Sequence, residues 1–430
     1  MINLAKADPA KRDFVRNSCA RLNSIRINYA RINSTVCVLI SLLLTACNAP
    51  IQVKSTTYTP LQLENKEIAE AELLDLGVLA FDPGLDNLSD EQADIVLPAV
   101  RIAEGHYLAN QLTRTLQDSA AWGAVRVLPS KEVVTDVYVE GIILHSDGEK
   151  LTLGITVTDT SGRQWYQRSY SQTASKYAYD RRQSLQRDPF QGLFNRIAND
   201  LLDHRETLGG KQATNLRNIS TLRFARDFSP EAFEQHLEAN RKGVLEIKRL
   251  PATNDPILQR IQRIRERDYL FVDTTQEYYD AFSLQMEAPY QSWRTQNYDE
   301  ILAVRQLKRQ SRERTIGGIV TVIAGIVAAG SNSRATRAAG AVAIGSGALL
   351  VKSGLAKKGQ AQIHIEALAE LGQSLESEVE PRTVTLEDQT ITLSGNVQAQ
   401  YQQWKQLLQK IYALERGTSA DISNDEQTSQ

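Results

Sequence analysis

Cysteine is almost absent from this chain, and its placement excludes more than its scarcity. Cys19, Cys37 and Cys47 are the only three in 430 residues. Everything beyond residue 47 therefore lacks a disulfide framework, a thiol nucleophile and a thiolate metal site. Histidine is also scarce: His106, His145, His204, His236 and His364, with no two at the i, i+4 spacing of a helical metal pair. No P-loop, Gly-x-Ser-x-Gly or His-Glu-x-x-His pattern occurs. The Gly-Ser-Gly around Ser346 sits inside an apolar run with no strand before it, so it reads as packing. The acidic stretch Asp82, Asp86, Asp90, Glu91 and Asp94 lacks the spacing of a calcium loop and reads as solvated surface. A strong charge of one sign is missing too, since the net charge is −2. No basic footprint marks a nucleic-acid partner, and no cofactor is expected. A pair of carboxylates for glycan cleavage is assembled in three dimensions, so the sequence leaves that class open.

What the chain does have begins near its start. Val36 to Leu44 is an uncharged, mostly apolar core, preceded by Arg21, Arg26 and Arg31 and followed by Thr45-Ala46-Cys47. These are the charged region, apolar region and small-residue cleavage site of a secretory signal. The run falls short of the roughly 20 apolar residues that span a bilayer. Leu44-Thr45-Ala46-Cys47 resembles a bacterial lipobox. The resemblance implies that residues 1–46 are removed as a signal peptide and that Cys47 is diacylated and becomes the first residue. Asn48, where an aspartate would retain such a protein, implies delivery to the outer membrane, with the body facing the periplasm. Several acyl chains anchor stably, each methylene contributing about 0.8 kcal/mol. From Cys47 onward the net charge is −7, because seven basic residues against Asp8 and Asp13 leave with the signal.

Residues 47–72, interrupted by Pro50 and Pro60, read as a lipidated tether that lets the body stand off the membrane. Residues 73–205 read as an α+β domain. A strand at Leu74–Phe81 precedes a helix over Ile95–Gln117, with Val100, Ala103, Tyr107, Leu108, Leu112 and Leu116 at helical spacing. Strands at Val125–Leu128, Val137–Leu144, Leu151–Val157 and Gln164–Tyr170 follow, with turns at Asp147-Gly148 and Ser161-Gly162. A helix over Phe190–His204 closes this largely antiparallel meander.

The strand pair Val137-Tyr138-Val139-Glu140-Gly141 and Leu151-Thr152-Leu153-Gly154, the segment Thr158–Trp165 and the Arg101…Leu108 helix resemble a group of envelope-assembly lipoproteins. These are the curli-secretion lipoproteins, the activators of penicillin-binding proteins and the amino-terminal domain of the Tol-system propeller protein. The resemblance covers residues 73 to 205. It implies a small α/β domain used for assembly and binding, and it transfers no catalytic residue.

Residues 206–314 read as helical and heavily charged. Ser229-Pro230 is a helix start. Ile257, Leu258, Ile261 and Ile264 form an apolar stripe, and Tyr278–Trp293 is rich in aromatics. We expect paired helices packed through these two stripes. Residues 315–354 form a glycine-rich apolar segment, uncharged from Thr315 to Ser333 and apolar again from Ala338 to Val351, with Arg334 and Arg337 at its tip. Glycine costs roughly 1 kcal/mol in a water-exposed helix. Gly317, Gly318, Gly325, Gly330, Gly340, Gly345 and Gly347 therefore point to close backbone approach between two short helices, as contact residues for a membrane or an oligomer. Gly317 to Gly330 would reach about 21 Å, marginal against a hydrocarbon core of about 30 Å. The basic flanks Arg305, Lys308, Arg309, Arg312, Arg314, Lys352, Lys357 and Lys358 suit lipid headgroups. Bilayer contact and burial against a partner both remain open.

Residues 355–416 read as a helix, a β-hairpin over Thr383–Gly395 and an amphipathic helix over Val397–Leu414. Residues 417–430 form a polar tail expected to be disordered. The fold class expected is α+β: an antiparallel meander flanked by helices, then a helical region with a glycine-rich apolar helical hairpin and a small C-terminal β-hairpin plus helix. The function expected is that of a non-enzymatic outer-membrane lipoprotein scaffolding or assembling a cell-envelope complex. It would be held to the membrane through lipid on Cys47 and touch other envelope proteins or itself. The alternatives are an oligomeric pore or secretion component formed through the hairpin, a periplasmic regulator of a cell-wall enzyme, and an envelope hydrolase.

Overall fold

The computed structural model describes residues 51–55, 58–88, 96–174, 178–179, 187–312, 364–374, 380–386 and 389–416. They form a mixed α+β body. The strands expected after residue 73 fall where their alternation puts them, and one strand, β1, lies in the segment read as a tether. Strand β1 is Ile51–Ser55, β2 Leu76–Leu79, β3 Val125–Leu128, β4 Val137–Ser146, β5 Lys150–Asp159 and β6 Gln164–Thr173. Helix α1 is Pro98–Asp118, and the six apolar residues at helical spacing are all buried in it. The strands make one sheet in the order β1-β6-β5-β4-β2-β3.

The expected meander is present in β4–β5–β6, which pair antiparallel. The rest of the sheet is not antiparallel. Strand β2 is parallel to both β3 and β4, and β1 is parallel to β6. The reason lies in the connection: α1 carries the chain from the end of β2 back to its start, so β3 must run the same way. Strand β3 is an edge, and it is closed by a side chain. Gln276 accepts a hydrogen bond from the Val127 amide at 2.8 Å and donates to the Val127 carbonyl at 2.9 Å. Such closure removes the template for unwanted strand pairing.

The helix expected over residues 190–204 runs on as α2, Gln191–Phe228, with a break at Gly209, where φ is +70°. The Ser229-Pro230 start opens only a single turn, Pro230–Phe233. Short strands β7 (Leu237–Ala239) and β8 (Leu245–Ile247) form a hairpin. The two expected stripe-bearing helices are one helix, α3, Pro256–Arg312. Its stripes do not face each other but line two successive cores. Ile261, Ile264, Phe271 and Val272 join α2, and Tyr279, Phe282, Met286, Tyr290 and Trp293 join the sheet and α1. A helix over 364–374, here α4, returns to the same sheet core through Leu368. The C-terminal reading holds closely: β9 (Arg382–Leu386) and β10 (Gln389–Leu393) pair, and α5 (Val397–Glu415) buries Tyr401, Trp404, Leu407, Leu408, Ile411 and Tyr412. Asn396 caps α5, its side chain accepting from the Ala399 amide.

Candidate functional site

The residues singled out in the sequence, Cys47 and the glycines Gly317, Gly318, Gly325, Gly330, Gly340, Gly345 and Gly347, lie outside the described residues, as do Arg334 and Arg337. The described body fixes the direction of the strand that follows Cys47 and the end of the helix that precedes the glycines.

Strand β1 starts four residues after Cys47, with Ile51 level with Arg168 in the parallel register. The segment behind β1 is not a free spacer. Asn195 donates to the Thr59 carbonyl at 2.8 Å. Asn199 donates to the Pro60 carbonyl at 3.0 Å and accepts from the Gln62 amide at 2.8 Å. Arg205 pairs with Glu64 at 3.3 Å, both side chains largely covered. Arg217 donates to the carbonyls of Glu70, at 2.8 Å, and Leu73. Residues 58–73 are thus strapped along α2, which corrects the expected stand-off tether. The physical reason is that the asparagines, one turn apart, satisfy backbone groups that proline and polar composition leave unpaired.

Strand β1 runs parallel to β6, so its upstream end faces the turn between β5 and β6. That turn is fixed by Asp159, which accepts from the Ser161 amide at 2.9 Å, the Arg163 amide at 3.2 Å and Trp165 Nε1 at 2.9 Å. Arg223 donates to the Thr160 carbonyl at 2.7 Å from outside. The Leu245 amide donates to the Ser161 carbonyl at 2.8 Å, setting the β7–β8 hairpin beside the turn.

The β4–β5 turn stands at the opposite end of these strands. Here charge is buried rather than displayed. Glu104 on α1 accepts from Ser146 Oγ and from the Tyr290 hydroxyl, both at 2.6 Å. Arg101 reaches Glu104 at 3.3 Å and donates to the Ser146 carbonyl at 3.2 Å. Arg294, wholly buried, donates to Asp188 at 2.6 Å and stacks on the Tyr290 ring at 3.9 Å. Burial pulls the Arg294 guanidinium toward neutrality, but Asp188 outweighs it and holds the proton more tightly than usual. The Tyr290 phenol is pushed well above its ordinary range by burial, reinforced by Glu104. A phenol so strongly disfavoured as an anion serves as a donor, and the cluster acts as a polar lock between α1, α3 and the turn.

Tyr298 and Leu302 of α3 pack on the sheet core, and so do Ile365, Leu368 and Leu371 of α4. Arg312 ends α3 about 27 Å beyond Arg294 along the helix axis. No described helix is long and apolar enough to cross a membrane.

Between the ends, an open cleft of about 600 Å³ lies beyond Leu79, lined by Phe81, Asp82, His106, Glu140 and Thr156. Burial lowers the His106 pKa to about 4, so the ring is neutral at ordinary pH. Asp82 accepts from the Gly84 amide at 2.7 Å and so closes its own turn. Among the described residues no group of His, Cys, Asp or Glu is placed to hold a metal ion. The sequence reading missed Glu104, Asp188, Tyr290 and Arg294, which are scattered polar letters until the fold gathers them. Asn195 and Asn199 carried a signal in their i, i+4 spacing on α2.

Fold and site together define an α+β body with an amino-terminal segment strapped along α2 and a buried polar cluster at the turn between β4 and β5. No protein-family model, no curated protein and no solved structure matches the chain.

Proposed function

We propose that this protein is a non-enzymatic, lipid-anchored component of the outer membrane whose body scaffolds an envelope complex from the periplasmic side. The observation that carries the reading is the strapped lead. A lipid-bearing Cys47 would stand four residues from a sheet strand, and the hydrogen bonds of Asn195, Asn199, Arg205 and Arg217 keep the following residues on the body. That arrangement suits a body held in a fixed relation to the membrane. A diffusing catalytic domain is better served by a flexible spacer. The meander packed on α1 is also the unit that the resemblance to envelope-assembly lipoproteins implies. The glycine-rich segment, rooted in two helices at the far end of the body, is the element offered to partners or to further copies of the chain.

The test replaces Cys47→Ala and, separately, deletes residues 317–351, then follows each protein through membrane fractionation and native mass. The expected result is release of the unlipidated protein from the membrane with the segment intact, and a smaller native assembly when the segment is deleted. Unlipidated protein that still pellets, and is released only when 317–351 is also removed, would overturn the reading in favour of a bilayer-inserted pore element.

A further inference from the structure

Strands β4, β5 and β6 are ten residues each, so the two turns that join them stand about 30 Å apart. Strand β5 begins at Lys150, beside the Arg294 cluster, and ends at Asp159, beneath the turn at Gly162. Strand β1 is parallel to β6, with Ile51 opposite Arg168 and Ser55 opposite Gln172, so its upstream end faces the Gly162 turn. A fully extended chain of four residues, the separation of Cys47 from Ile51, reaches about 14 Å.

The Gly162 end carries two hairpin tips side by side. Gly162 and Gly243 both have positive φ, and a Cβ on Gly162 would stand 3.8 Å from the Gly243 carbonyl oxygen. On these tips Arg163, Arg241 and Lys242 are all exposed. Three acids of these two hairpins are engaged. Asp159 is saturated by the turn, Glu246 accepts from Asn240 at 2.7 Å, and Glu238 pairs with Lys248 at 3.3 Å. A chain with net negative charge beyond Cys47 thus displays three exposed cations on the side that the upstream end of β1 faces.

We propose that the tips bearing Arg163, Arg241 and Lys242 form a docking surface for the anionic headgroups of the anchoring bilayer. The body then stands end-on, with the α3–α4 root directed away from that bilayer. The orientation rests on the lipid at Cys47 proposed above, and the headgroup contact does not. Each basic residue at such a surface contributes about 1 kcal/mol, attenuated by salt within a Debye length.

The test uses the mature chain with Cys47→Ala and vesicles of phosphatidylglycerol or of phosphatidylcholine. Cosedimentation is followed over a salt series, for this chain and for a triple variant Arg163→Glu, Arg241→Glu, Lys242→Glu. We expect preference for phosphatidylglycerol that fades with salt and falls by more than a hundredfold in the triple variant. The neutral triple Arg163→Gln, Arg241→Gln, Lys242→Gln loses the three contributions without added repulsion and should fall roughly a hundredfold. Equal binding of the triple variant and its parent to phosphatidylglycerol overturns the proposal. So does binding that ignores lipid charge, which would assign contact to the glycine-rich segment, and so does the absence of binding. The mass of the mature amino-terminal residue tests lipidation separately, so failure of the anchor and failure of the docking surface give different results.

Discussion

The two ends of the sheet solve the same problem of charge in opposite ways. At the Gly148 turn, Arg101, Glu104, Asp188 and Arg294 are withdrawn from water and bound to one another and to tyrosines. At the Gly162 turn, Arg163, Arg241 and Lys242 stay in water while backbone bonds and one aspartate hold the loop. Buried ions are tolerated only when paired, so the first end is committed to holding the fold. Exposed cations contribute little to stability and are available for a partner. Charge at one end is architecture, and at the other it is surface.

The sharpest way to break this contrast is to remove one ion from each end. Arg294→Met leaves Asp188 covered without its cation, and we expect a loss of about 3–5 kcal/mol in urea denaturation. Arg163→Ala should stay within about 0.5 kcal/mol of the parent. Comparable losses at the two ends would end the distinction. The turn glycines sharpen it further. Gly148 and Gly162 have similar φ, +83° and +87°. A Cβ on Gly148 would lie 2.4 Å from the Arg294 carbonyl oxygen, whereas on Gly162 the nearest atom is at 3.8 Å. Left-handed strain should cost about 1–2 kcal/mol in either alanine variant. The collision adds about 1–3 kcal/mol at Gly148 alone. Thermal melts of Gly148→Ala and Gly162→Ala read the difference directly.

A third contrast sets the sheet core against the α3–α5 core. Burial raises the Asp268 carboxyl to about 6, although the Tyr401 hydroxyl donates to it at 3.4 Å. The unfolded chain gives up this proton first, near the ordinary carboxylate value. Its contribution to stability is therefore complete below about pH 4 and is lost as pH rises to about 6. Two pKa units correspond to about 3 kcal/mol. Asp268→Asn should flatten that part of the stability profile relative to the parent, as read by denaturation at pH 4, 5, 6 and 7. Parallel profiles would show that Asp268 is ionised in the fold. Arg294 should show no comparable loss in this window, because Asp188 keeps it charged.

Legibility in the sequence followed the range of the interaction. Helix α5 was readable because Tyr401, Trp404, Leu408 and Ile411 recur at helical spacing, and the β9–β10 hairpin because its residues alternate. The parallel pairing of β2 with β3 and β4 was not readable, since alternation marks a strand and says nothing of its neighbour. Two apolar stripes suggested two helices because the 3.6-residue period records which face is buried, not against what. The role of Asn195 and Asn199 was not readable from the sequence, because the backbone they bind lies 136 to 139 residues away along the chain.

Those asparagines give the smallest expected effect. Asn199 makes two bonds to the strap, but Pro60 and Gln62 are exposed, so water can replace the lost partner on that side. Asn199→Ala should therefore cost only about 1 kcal/mol globally, far less than removal of Arg294. Its local effect should be larger than that figure suggests. With Asn199 gone, Asn195 and Arg205 hold the strap from either side of an unsupported stretch, and residues 60–62 should open by local fluctuation. Amide exchange at Gln62 should speed up by roughly the factor of five to ten that 1 kcal/mol represents, while exchange in β5 stays unchanged. Equal acceleration in β5 would mean that strap and sheet open together. The lead behind Cys47 would then be as firmly built in as the Arg294 lock.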